Sequence, residues 1–485
     1  MNLKDASLLK SRCLVNGEWI GNPEIVVENP STNEAIGSVP RLGGADARLA
    51  IKHAQTAFPH WSRMTAKERG KIIRRWYELM IENKDDLALI LTSEQGKPLA
   101  EAAGEIDYAA NFLEFFAEEA KRVYGETIPS HKANARIVVT KQPVGVVAAI
   151  TPWNFPAAMI TRKVGAALAV GCTVVCKPAT ETPLTALALA ELGQRAGIPA
   201  GVLNVITGKS FEIGEELTSN PAVRAVTFTG STEVGKILMR QCASTIKKVA
   251  LELGGNAPFI VFDDADLHAA VKGAVEAKFR NTGQTCVCAN RILVQSGVYS
   301  VFIELLAKEV AKLKVGDGTG RGVVQGPLIN AAAVRKVEEH IKDAVELGAE
   351  IVVGGERHEL GGNFIQPTVL KNVTTSMLLT REETFGPLAP VCKFETEEEA
   401  VALANDTPSG LAAYLYSRDI GRCWRVAEAL EVGMVGVNEG LLATELAPFG
   451  GVKESGLGRE GSHYGIEEFV EAKYMLVGGL GIPTA

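Results

Sequence analysis

Between residues 144 and 255, short apolar runs alternate with helical stretches: VGVVAAI, CTVVCKP, VLNVITG, AVTFTGS and KVALELGG, separated by segments such as TALALAELGQRAG. Runs of that length and β-branched content read as buried strands, and the spacers read as crossover helices. Strand and helix in strict succession force parallel pairing, because no tight turn can reach a parallel neighbour. The expectation is a doubly wound α/β sheet with helices on both faces, its ligands bound beyond the carboxyl ends of the strands. A second alternation across residues 257–437, with APFIVF, RILVQ, EIVVGG and GMVGVN as strands, implies a second α/β domain.

Upstream, residues 44–124 carry apolar positions at spacings of three and four with charges between, as in AKERGKIIRRWYELMIENKDDLALIL, and read as helical scaffold rather than chemistry. The segment ETIPSHKANARIVVTKQPVG and the C-terminal VEAKYMLVGG are strand-like and could pair with each other or with another subunit. At 485 residues the chain exceeds one ordinary core, so two or three domains are expected. No internal repeat or low-complexity linker interrupts them.

Charge and cysteine usage exclude several classes. The net charge is -7 and the basic residues are dispersed, which argues against nucleic acid or an anionic membrane as partner and favours a small molecule. No run reaches the eighteen or so apolar residues of a membrane span, and the chain reads as cytoplasmic. Its 8 cysteines are scattered rather than clustered, so reduced thiols are expected and a zinc site is not.

Several short segments could carry chemistry. In AVTFTGSTEVGKILMRQCA a strand turns through Gly230 and Ser231 into a helix whose first N–H groups could face a phosphate, although plain capping is the commoner meaning of such a turn. Lys177 ends a strand in CTVVCKPATETP, where a cation can reach a ribose or phosphate or simply lie at the surface. Glu252, in LELGGN, is either a general base raised by apolar surroundings or a salt-bridged strand end. Asn154 in TPWNFP is held between two prolines, as an oxyanion donor or a turn residue. In FRNTGQTCVCANR, Cys286 follows Gly283 in a polar loop that suits a nucleophile better than a strand would. Cys288 lies two residues on, so a disulfide between the two would be strained and labile.

TPWNFP, KPATETP, FTGSTEVG, LELGG, GQTC, EETFGP and PFGGVKESGLGREG occur in the order and rough spacing of the aldehyde dehydrogenase superfamily, which the chain resembles over nearly its whole length. Within it, MITRK, KFRNTGQTCVC and GLGREGSHYGIEEFVEAKYM resemble the succinate-semialdehyde dehydrogenases. The resemblance implies a Rossmann-type cofactor domain (1–125 and 145–255, with a return near 438–470), an α/β catalytic domain (256–437) and a small β oligomerisation arm (126–144 and 471–485). It further implies a dimer or tetramer. Cys286 would be the nucleophile, Asn154 with the Cys286 N–H would hold the oxyanion, and Glu252 would activate water; no metal is required. Lys177, Pro178, Ala179 and Thr180 would meet the adenosine ribose. Gly230, Ser231, Thr232, Glu233, Val234 and Gly235 would lie on the pyrophosphate side. Glu383 would bind the nicotinamide ribose, with Trp153 and Leu253 lining the cleft.

The family commonly places a glutamate at the position of Thr180 when it uses NAD; the short neutral threonine beside Lys177 implies NADP preferred with NAD tolerated, unless Glu181 turns inward. Arg162, Arg280 and Ser455 fall where succinate-semialdehyde dehydrogenases hold the distal carboxylate of the substrate, and arginine offers a fork for it. Cys288 would be inert packing or a resolving thiol in a redox switch. Glutarate semialdehyde, one methylene longer, and other ω-oxoacids remain alternatives, because a methylene discriminates by only ~1–3 kcal/mol. Two further readings differ in class. A catalytically silent relative would not need Cys286, Glu252, Asn154 and Lys177 together, and a thiol-disulfide oxidoreductase would show the C-x-x-C spacing absent here.

Overall fold

The computed structural model describes residues 1–481. Two large sheets dominate it. The first has eight strands in the order Glu18–Ile20, Cys13–Val15, Leu203–Val205, Thr173–Lys177, Val146–Ile150, Val223–Thr229, Lys248–Glu252 and Gly456–Leu457. Its five inner strands, Leu203–Val205 through Lys248–Glu252, pair in parallel, and antiparallel neighbours close both edges. The five inner strands are those expected from the apolar runs. The short N-terminal strands at the edge were not.

Helices cover both faces. On one, Trp61, Trp76, Phe112 and Phe116 from the N-terminal helices pack with Val147, Val174 and the helix Ala158–Val170. On the other, Ala47, Ala50 and Ile51 of the helix Gly44–Arg63 pack with Ile213, Val175 and Val226. Local signals set the helix ends. Thr65 and Glu68 form a reciprocal capping box before Ala66–Glu82, and Gly171, at φ 102°, stops Ala158–Val170 in a left-handed turn that other residues resist.

The second sheet has seven strands ordered Glu350–Val353, Thr368–Lys371, Leu388–Phe394, Ala289–Gln295, Ala257–Val261, Ala412–Tyr416 and Met434–Val437, parallel except at the first pair. A third, three-stranded sheet joins Glu126–Ile128 and Arg136–Pro143 to Val470–Val477, with Val470 opposite Pro143 and Val477 opposite Arg136. All but the first residue of Val470–Val477 are exposed. The last part of the expected arm, residues 482–485, lies outside the described residues.

The C-terminal return reaches the centre of the molecule. Gly456 pairs with Glu252, and the Leu253 N–H donates to the Ser455 carbonyl at 2.9 Å. The carboxyl end of the strand bearing Glu252 is thereby fixed from both sides.

Candidate active site

Four segments converge at the carboxyl ends of the first sheet: the loop after Val146–Ile150, the turn after Val223–Thr229, the end of Lys248–Glu252 and the loop carrying Cys286. Pro152, Trp153, Asn154, Gly230, Cys286 and Glu383 are among the walls of a cavity of about 210 Å³ between them. Ser231 and Leu253 also line it.

The loop before Cys286 is strained. Asn281 and Thr282 sit at φ 51° and 55°, a left-handed region costly for residues with a Cβ. Gly283, at φ 75°, lies so close to the Gly386 carbonyl that any side chain would clash. Hydrogen bonds hold this geometry. Asn281 Nδ2 donates to the Asn154 carbonyl at 3.0 Å and to the Gln284 carbonyl at 3.1 Å, while Asn154 Nδ2 donates to Gln284 at 3.2 Å. Asn154 Oδ1 accepts the Phe155 N–H at 3.1 Å, so the amide orientation is set and its second N–H stays free.

Cys286 is half-buried at the base of the cavity. Burial, and next the Glu383 carboxylate, push its thiol up to about 12, and Arg162 opposes them. Glu252 is buried and its Oε2 has no hydrogen-bond partner. Burial, then the neighbouring Glu460 carboxylate, raise its pKa well above the ordinary range. Burial thus favours the neutral form of both thiol and acid. Glu383 accepts the Gly255 N–H at 3.2 Å, and burial raises it to about 7.

The cofactor side is laid out as a ribbon of strand ends. Lys177 is buried, donates from Nζ to the Pro178 carbonyl at 3.1 Å, and has its pKa lowered by burial. Ala179 is partly covered, and Thr180 and Glu181 are exposed on the turn before the helix Pro183–Arg195. Glu181 lies near enough to act on the Lys177 charge. Ser231 caps the helix Thr232–Cys242, and Thr232 Oγ1 donates to the Glu454 carbonyl at 3.4 Å. Glu233 and Val234 are exposed in the first turn, and a side chain at Gly235 would collide with Leu253. A helix start and a carboxylate facing one cavity, with a buried lysine at the end of a neighbouring strand, suit a dinucleotide: positive dipole end to phosphate, carboxylate to ribose hydroxyls.

The three expected substrate residues have different surroundings. Arg280 is half-buried, stacks on Phe155 at 5.0 Å, and lines a second cavity of about 290 Å³ with Lys97, Glu101, Tyr108 and Ala443. Arg162 is buried, stacks on Phe449 at 4.1 Å and forms an ion pair with Glu460. Ser455 is fully buried, donating to the Gly254 carbonyl at 2.7 Å and accepting the Gly410 N–H at 2.9 Å, so its hydroxyl braces two loops. Cys288 is buried too, with its thiol donating to the Lys278 carbonyl at 3.0 Å.

The region read as scaffold supplies part of the site. Lys97 donates to Glu105 at 2.5 Å and to the Asn154 carbonyl at 2.8 Å, with Nζ 3.9 Å from the Phe155 ring centroid. Glu105 caps the next helix by accepting the Ala157 and Ala158 N–H groups at 2.9 and 3.3 Å. Glu101 accepts the Asn281 N–H at 2.8 Å. Lys163 is buried and pairs with Glu460, which thus faces two cations. A signal for this pair was present: Arg162 and Lys163 are adjacent charges in AMITRKVGAALAV, a helix buried along its whole length.

Comparison with known proteins agrees with this geometry. Residues 19–475 match the model of the aldehyde dehydrogenase family. The chain is 62% identical over 483 residues to a glutarate-semialdehyde dehydrogenase of Pseudomonas aeruginosa, covering 99% of this chain and 100% of that one. It is 61% identical over 481 residues to an NADP(+) succinate-semialdehyde dehydrogenase of Escherichia coli, with coverage of 99% and 100%. The solved structure of a succinate-semialdehyde dehydrogenase from Burkholderia pseudomallei superposes with a TM-score of 0.98 at 61% identity, covering 99% of this chain and 100% of that one. With residues 19–475 matching the family model and relatives 61–62% identical along 99% of its length, the chain belongs to the aldehyde dehydrogenase family.

Proposed function

We propose that the protein oxidises succinate semialdehyde to succinate, with NADP preferred and NAD accepted. The observation that carries the reading is the pair of arginines, Arg162 and Arg280, held against aromatic faces beside the cleft of Cys286. Guanidinium on an aromatic face keeps its charge while its edge stays open to a carboxylate.

Cys286, its thiol proton released to solvent, adds through Sγ to the aldehyde carbon, forming a C–S bond as the C=O π bond opens to a thiohemiacetal oxyanion. The free Asn154 N–H and the Cys286 backbone N–H donate to that oxygen. Residues from Lys177 to Thr180 and from Gly230 to Gly235, together with Trp153, Leu253 and Glu383, would hold a nicotinamide cofactor, whose chemistry when bound would be to accept hydride from the thiohemiacetal carbon; Cys286 would then carry the acyl group as a thioester. Glu252 removes a proton from water as it attacks the thioester carbonyl, and the thiolate leaves with release of the acid.

The exposed neutral Thr180 supports NADP, and the Escherichia coli relative carries NADP(+) in its name. The nearness of Glu181 to Lys177 supports a preference rather than strict exclusion of NAD. Residues 1–125 and 145–255 act as the cofactor unit and 256–437 as the catalytic unit. The exposed sheet of 126–144 and 471–481 serves to join subunits. Glutarate semialdehyde is the second reading: the Pseudomonas aeruginosa relative carries that name, and one methylene changes binding by only ~1–3 kcal/mol.

The test is reduced-nicotinamide absorbance with wild type and Arg280→Ala on succinate semialdehyde, glutarate semialdehyde and butyraldehyde, each with NADP and NAD. Loss of a charge-assisted bond should raise KM for the carboxylated aldehydes at least roughly tenfold and barely change butyraldehyde turnover. Equal losses on all three aldehydes would remove the carboxylate clamp from the account, and a higher kcat/KM with NAD would reverse the cofactor assignment.

A further inference from the structure

The arginine pair leaves the substrate carboxylate short of donors. Arg162 already pairs with Glu460, and the Ser455 hydroxyl is engaged by Gly254 and Gly410. Two buried polar atoms near the nucleophile nevertheless have no partner: Arg162 Nη2 and Tyr108 Oη. They flank one ring. Phe112 packs edge-on to Tyr108 at 4.9 Å, and its centroid lies 5.8 Å from the Arg162 guanidinium carbon. Tyr108 also lines the cavity that Arg280 enters from the opposite helix.

We infer that Tyr108 is the third donor to the distal carboxylate, working with Arg162 Nη2 and Arg280 as a specificity-determining residue for ω-oxo acids. This rests on the proposed function, since it names the residue that completes the same site. A buried hydroxyl without a partner is a cost the fold does not relieve within itself, and an anionic oxygen between two guanidinium groups relieves it. Burial raises the phenol's pKa against the pull of Arg162 and Arg280, so Oη remains protonated and able to donate. Arg280, free of the Glu460 pairing, is the main ionic partner; Tyr108 and Arg162 Nη2 fix the angle and depth of the carboxylate.

The experiment compares full-length wild type and Tyr108→Phe with NADP on succinate semialdehyde and butyraldehyde. The expected result is a KM for the semialdehyde raised roughly tenfold or more, kcat within about twofold, and a much smaller change on butyraldehyde. Because Oη has no internal partner, the thermal midpoint should be unchanged or higher. An unchanged semialdehyde KM, with wild type still favouring the carboxylated aldehyde, overturns the role of Tyr108 and leaves the proposed function standing. Equal losses on both aldehydes also overturn it, by making Tyr108 a packing residue. A wild type that does not favour the semialdehyde removes the proposed function and this inference together.

Discussion

Lys97→Met tests whether the buried pair beneath the active site positions Asn154 or only stabilises the fold. The substitution keeps the length of the side chain but deletes three interactions at once: the bond to Glu105 at 2.5 Å, the bond to the Asn154 carbonyl at 2.8 Å, and the cation over Phe155. Removing one partner of a buried pair typically costs ~3–5 kcal/mol. Glu105 keeps two backbone N–H donors at the start of Ala158–Val170, which places the loss near the lower end, about 3 kcal/mol. Unfolding entropy of about 2.1 cal/mol/K per residue, taken over 485 residues, is about 1 kcal/mol/K, so the midpoint should fall about 3 °C. The Asn154 carbonyl would retain only the Asn281 amide, and the oxyanion donor beside it would drift. A fully lost oxyanion donor costs ~10²–10³ in kcat, so a loosened one should cost roughly tenfold or more. The loss should be the same for succinate semialdehyde and butyraldehyde, because the oxyanion is common to both. Thermal shift and steady-state kinetics on the same preparation decide the matter. A midpoint lowered as expected with kcat intact would refute the positioning role, and a loss confined to the semialdehyde would move Lys97 into the carboxylate site instead.

Glu252→Gln should lower the steady-state rate by ~10²–10⁴ while a first-turnover burst of reduced nicotinamide persists, because the base is needed to hydrolyse the thioester; stopped-flow absorbance distinguishes this from loss of acylation. Glu252 must lose its proton to act and its pKa is raised, chiefly by burial, so kcat in wild type should climb with pH through a value above the ordinary carboxylate range; a flat profile would contradict the assignment. Glu383, raised to about 7 by burial, accepts from ribose hydroxyls best when ionised. Cofactor affinity should therefore rise with pH, Kd being up to roughly tenfold weaker at pH 6 than at pH 8, and isothermal titration of Glu383→Gln should lose that dependence.

The strands that position the site were legible because each is an unbroken apolar run: VVAAI, TVVCK and VRAVTFT are buried at nearly every position. Others lacked that signature. Leu388–Phe394 contains Pro390, Ala412–Tyr416 is rich in alanine, and Cys13–Val15 and Glu18–Ile20 have three residues each, too few for periodicity to register. Cys286, Glu252 and Asn154 were singled out through motifs in a family resemblance, and the structure brings their segments to one cleft. Glu105 and Tyr108 were missed because helical periodicity in LAEAAGEIDYAANFLEFF says which face is covered, not what covers it. For Ser455, a matching motif fixes a position along the chain, but the bonds its hydroxyl makes to Gly254 and Gly410 follow from the backbone around it.

The division of labour between the two arginines follows from the charges around them. Arg162 is the cation that opposes burial at Cys286, and Glu460 already draws on its charge. If an incoming carboxylate took Arg162 as its sole ionic partner, it would weaken the leading favourable influence on the thiolate just when the thiolate must form. A site that meets the carboxylate mainly through Arg280 avoids that conflict. Arg280 sits on Phe155 in the cavity of Tyr108, and it is not among the leading influences on the Cys286 thiol, whereas Arg162 is. Glu460 then has two effects from one location: it compensates Arg162 and Lys163, and by its own negative charge it helps raise Glu252, which becomes a stronger base once ionised. The pairing of cations with carboxylates around this cleft therefore separates recognition of the substrate's charge from the charge that forms on sulfur.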